Sequence, residues 1–176
     1  MKKLAVALII LALAIGAWML FARGAPSYDE FKATEAKHKQ PDELVPSNLE
    51  SIREYKQDIF FFKRKYSASR EAGLLADIKL DLASAEENLI ILGNEFSKID
   101  RRNPDCLEGG SISKSRNLLE GARKKIGTAQ ENSMLLGRDY PAFAEVSGVS
   151  KDEFGQSVAG ISRSMDSIEN IINSYC

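Results

Sequence analysis

The chain has 176 residues, with 24 Lys plus Arg against 25 Asp plus Glu, one His, two Cys and five Pro. A net charge of -1 offers no cationic excess to neutralise phosphates, so nucleic acid is not an expected partner, and one His with two Cys cannot build a closed four-ligand zinc site or an iron-sulfur cluster from those residue types. At 44% hydrophobic and 28% charged, the chain is neither disordered nor a multi-span membrane protein, and its length suits one domain.

Lys2 and Lys3 precede an uncharged run from Leu4 to Ala22. Nineteen apolar residues in a helix measure roughly 28 Å, enough to cross a bilayer. The two lysines favour an orientation with the N-terminus inside, which places the chain after Arg23 outside the cytoplasm, and Trp18 sits near the outer end as interfacial aromatics do. Residues 1–24 are therefore expected as a single-pass anchor in the cytoplasmic membrane. The alternative is a signal peptide cleaved after Gly24 and a protein released to the periplasm. Either way Cys106 and Cys176 reach an oxidising compartment, which favours a disulfide between them.

Residues 25–46 carry Pro26, Pro41 and Pro46 with mixed charge and few large apolar side chains, and read as a polar linker with a short helix over 27–39. The lone His38 lies there between two lysines and is expected to be solvated. After Pro46, Ser47 and Glu50 form a capping-box pattern, and residues 47–176 are expected to form the extracytoplasmic bundle.

Four segments show apolar or small residues at spacings of three and four: Ile52 to Tyr66, Leu75 to Ile99, Ile112 to Leu136 and Phe154 to Tyr175. A repeat sustained this long is a helix-packing seam that strands of period two cannot reproduce, so the fold class is all-α. The expected breaks are a tight hairpin at Ser67 to Arg70, Asn103-Pro104 with Gly109-Gly110, and Gly137, Pro141 and Gly148, with Ser150 and Glu153 as a second capping box. The architecture these imply is an antiparallel up-down four-helix bundle, with a three-helix bundle containing one very long helix as the alternative. Net charges of +2, -3, +3 and -2 over residues 47–66, 70–101, 111–139 and 150–176 put opposite signs on neighbours in that winding. It also brings Cys106, between the second and third helices, to the end where Cys176 closes the fourth.

No motif for catalysis is present: no GxSxG, HExxH, CxxC, Walker loop or GxGxxG. Glu86 and Glu87 diverge by about 100° on a helix and read as solvated. The basic runs Lys63-Arg64-Lys65 and Arg123-Lys124-Lys125 suit either an anionic lipid or polymer, or the acidic faces of neighbouring helices. No catalytic residue, metal ligand or cofactor is assigned. Phe60 and Phe61 fall at outward heptad positions, as do Met134 and Leu135, and in the four-helix winding they share one end with Tyr140 and Phe143. These six form a candidate interaction tip, unless the 140–149 loop folds over them as a small local core. The expected function is non-catalytic protein-protein interaction with other envelope or membrane proteins, as an accessory or assembly subunit of an envelope complex. A small-molecule sensor bundle and a phage-type envelope-disrupting or exclusion protein are the alternatives.

Overall fold

The computed structural model describes residues 28–38, 48–97, 109–149 and 151–174, and every regular element among them is helical. The elements are α1 (Tyr28–Lys37), α2 (Leu49–Lys65), α3 (Arg70–Ser97), α4 (Gly109–Asp139), α5 (Pro141–Val146) and α6 (Lys151–Ser174). Among the described residues no helix is long and apolar enough to cross a membrane. The expected span Leu4–Ala22 and both cysteines lie outside the described residues.

The 3-4 seams are the buried faces. On α4 every seam residue from Ile112 to Leu136 is buried, Ser115 and Ser133 included. On α2 the seam buries Ile52, Ile59 and Phe62. Helix α3 is buried over a wider arc, because Ala76, Ala83 and Ile90 form a second stripe beside the seam residues Leu75, Ile78 and Leu92. Two packed neighbours account for that width: α3 lies against α2 on one side and α4 on the other, and α4 in turn packs against α5 and α6.

Ion pairs fix the directions. Lys63 meets Asp77 while Arg53 meets Glu87, so α2 and α3 are antiparallel. Lys125 meets Asp81 and Lys114 meets Glu95, which makes α3 and α4 antiparallel. Arg123 meets Asp166 and Glu169, and Arg116 donates to Asn173, which does the same for α4 and α6. Each interface the charge alternation implied between consecutive long helices thus carries an ion pair. Among the described residues, packing comparable to these does not occur between α2 and α6, the pair that would close a four-membered ring. Helix α1 is the other neighbour of α2.

The turn between α2 and α3 falls where the seam slips. Tyr66 N–H donates to Phe62 O, Ser69 N–H donates to Tyr66 O, and the Ser69 hydroxyl accepts from Ala72 N–H at 3.2 Å, capping α3. Two breaks fall elsewhere than expected. Gly109-Gly110 open α4 rather than mark a gap, which glycine tolerates at a first turn whose backbone donors have no intrahelical partner. Helix α4 runs through Gly137 to Asp139, held by Leu136, which is fully buried. Pro141 then starts α5, where its missing N–H costs nothing. Gly148 ends α5 at φ 66°: its N–H donates to Glu145 O and that of Val149 to Ala144 O, a Schellman arrangement that needs a left-handed residue. The 140–149 segment is thus a short capped helix. Ser150 and Ser47, the expected capping residues of α6 and α2, lie outside the described residues, and α2 itself begins at Leu49.

Candidate interaction surface

Helix α1 determines what the C-terminal end of α2 looks like. Phe31, Glu35 and His38 occupy one face at spacings of four and three. Phe31 is buried against Phe62, ring centroids 5.5 Å apart, with the Lys79 ammonium 5.7 Å from its own ring centre. Around this anchor is a ring of polar contacts. Glu30 accepts from Lys65 at 2.7 Å and from the Tyr66 hydroxyl at 2.6 Å. Glu35 pairs with Lys79 at 2.7 Å and accepts from Tyr55 at 3.1 Å. Asp58 accepts from Lys37 at 2.6 Å and lies 2.8 Å from His38 Nε2. His38 is therefore not a solvated linker residue: its side chain is 8% exposed and stacks edge-on to Tyr55.

The electrostatics follow from these partners. Hydrogen bonds from His38 and Lys37 hold the Asp58 carboxyl below the usual range, and those from Lys65 and Tyr66 do the same for Glu30. Burial pushes the Tyr55 hydroxyl far above its ordinary value, and the Glu35 carboxylate adds to it. Glu86 and Glu87 diverge as a helix requires, but neither is simply solvated. Glu87 receives Arg53 and Lys56 at 2.7 and 2.8 Å. Burial raises the Glu86 carboxyl, against the lowering influence of Lys79. Among the described residues no group of three or more His, Cys, Asp or Glu is placed to hold a metal ion.

The six tip residues divide. Phe60 and Phe61 are 56% and 53% exposed, with centroids 6.5 Å apart, near the end of α2. Phe61 lines a groove of about 390 Å³ with Glu30, Ala33, Thr34 and Lys65. Met134, 54% exposed, lines a larger groove of about 980 Å³ between the end of α4, α5 and the start of α6, with the buried Ala144 and Phe154 on its apolar floor and the exposed Gln130, Arg138, Pro141 and Glu145 around it. Leu135 is partly buried, and Tyr140 and Phe143 pack against the core. The two grooves share no lining residue. Arg70 reaches to 3.9 Å from Asp139, so the start of α3 and the end of α4 lie at one end of the molecule, the end to which α2 also runs. Val146, 49% exposed, is on α5 at that end. Of the exposed large hydrophobic residues among those described, Ile171 alone is at the opposite end.

Apolar periodicity alone does not reveal the docked α1. Its signal is present in the spacing of Phe31, Glu35 and His38, but only one of the three is apolar. Comparison with protein-family models, with curated proteins and with solved structures finds no match to this chain.

Proposed function

We propose that this chain is a non-catalytic, membrane-anchored helical bundle that docks a partner protein on the extracytoplasmic side of the cytoplasmic membrane, as an accessory or assembly subunit of an envelope complex. Residues Leu4–Ala22 supply the anchor. Helices α2, α3, α4 and α6 supply an up-down-up-down array, and a Cys106–Cys176 disulfide closes the end away from the grooves. In support of that bridge, Lys114 with Glu95 and Arg116 with Asn173 gather the end of α3, the start of α4 and the end of α6.

The observation that carries the reading is the α4–α5–α6 groove. It has an apolar floor, an exposed Met134 at its edge and charged residues on its rim, which is the anatomy of a protein docking site. Methionine suits such a surface because its unbranched thioether adapts to the partner's shape. Purification of the full chain from detergent-solubilised envelope, compared with Met134→Ser and Met134→Glu, tests it. A specific co-purifying envelope protein that falls at least tenfold in both variants, with helicity and melting unchanged, is the expected result. Equal recovery of the same proteins by all three overturns the groove as the docking site.

A further inference from the structure

We propose that the Phe60–Phe61 face is seated in the headgroup region of the bilayer that holds the anchor, so that the bundle stands on the membrane by the end to which α2 runs. The inference rests on Leu4–Ala22 being a membrane span. Six Cα steps separate Ala22 from Tyr28, and a fully extended chain covers no more than about 3.6 Å per residue. Tyr28 therefore lies within about 22 Å of the outer end of the span. Helix α1 is antiparallel to α2 and pinned to it: Glu30, two residues on, is bonded to Lys65 and Tyr66 at the last turn of α2. The anchor consequently draws this end of the molecule to the membrane. The opposite end is the length of α3 away, 28 residues or about 42 Å of helix.

The surface that the anchor brings down matches a bilayer interface. Two adjacent phenylalanines near the end of α2 are each more than half exposed, and Phe61 borders the groove beside α1. Interfacial segments present apolar aromatic rings flanked by Lys and Arg, the rings entering the acyl boundary and the cations meeting phosphates. Here Lys63 and Lys65 are engaged by Asp77 and Glu30. Arg64 is exposed with no acidic partner among the described residues, and Lys32 leans over the Tyr28 ring at 4.6 Å. Against these two cations stands one exposed acid on the first turn of α1, Asp29. The charge is thus modest, and the aromatic pair is the main contact.

The test is depth-dependent quenching in the full chain reconstituted into vesicles of phosphatidylcholine and phosphatidylglycerol. With Trp18→Phe removing the native indole, Phe60→Trp, Phe61→Trp or Ile171→Trp each introduces a single reporter. Lipid brominated near the headgroup end of its acyl chains should quench the indoles introduced at 60 and 61 at least threefold more than the one at 171. Equal quenching at all three sites in protein that floats with the vesicles overturns the seating and leaves the anchor standing. A blue-shifted but unquenched indole at 60 or 61 means a protein surface, such as a second copy, covers the face, and also overturns it. Protein that fails to float removes the anchor and the seating together.

Discussion

Glu86 shows how a single residue changes meaning once its helix is packed. As one of two adjacent acids on a helix it reads as surface, yet burial on α3 raises its carboxyl, with Lys79 only partly opposing the shift. A folded-state pKa above the unfolded one means that the protonated form favours folding. That contribution is complete below the unfolded value near 4.5 and is lost as pH rises through the folded value. At neutral pH the charged carboxylate therefore destabilises the bundle, and Glu86→Gln should melt higher than the parent at about pH 7.5, with the difference shrinking toward zero at about pH 4. Melting curves across that range check it. No difference at neutral pH, or one that grows on acidification, is incompatible with a carboxylate disfavoured by burial. Asp58 has the opposite sign: held low by His38 and Lys37, it contributes stability above its unfolded pKa that fades as pH falls through its folded one.

At the scale of elements, α1 carries the strongest claim, because a ten-residue helix is too short to persist alone in water and must be held by the surface it docks on. Removing the Phe31 ring should cost about 3 to 5 kcal/mol, the range for deleting a buried aromatic. Phe31→Ala in chemical denaturation should show that loss, and hydrogen exchange should speed first in α1 and in the Ile59–Phe62 turn beneath it. A cost below about 1 kcal/mol would mean that α1 adds little to the fold. The seams of α2, α4 and α6 were legible because helix burial repeats locally: Ile112, Leu119, Ile126 and Leu136 announce their face within one segment. Helix α1 was legible as a short helix but its docking was not, since its hold on the fold consists of Phe31 on Phe62, Glu35 on Lys79 and His38 on Asp58, contacts between distant parts of the chain that no local period encodes. The tip was legible only in its outward heptad positions, Phe60, Phe61 and Met134. Tyr140 and Phe143 depended on α5, whose Schellman end at Gly148 turns an expected loop into a cover packed on the core.

For the whole molecule, the near-zero net charge conceals an arrangement. Opposite signs on consecutive long helices become ion pairs at each of their interfaces, from Arg53 and Lys56 on Glu87 to Arg123 on Asp166 and Glu169. Single exposed pairs are worth less than about 1 kcal/mol, so their role is to select neighbours and direction rather than to supply stability. The same winding collects Phe60, Phe61, Met134 and Val146 at one end. That end offers two surfaces, the Phe60–Phe61 face proposed to meet the bilayer and the groove proposed to receive a partner. The central claim is that the groove engages a protein, and site-specific photo-cross-linking in the intact envelope tests it most directly. A benzophenone side chain in place of Met134 should give one discrete protein adduct, at least fivefold above the same probe in place of Ile171. Equal adducts from both positions, or none from the groove, would contradict the account.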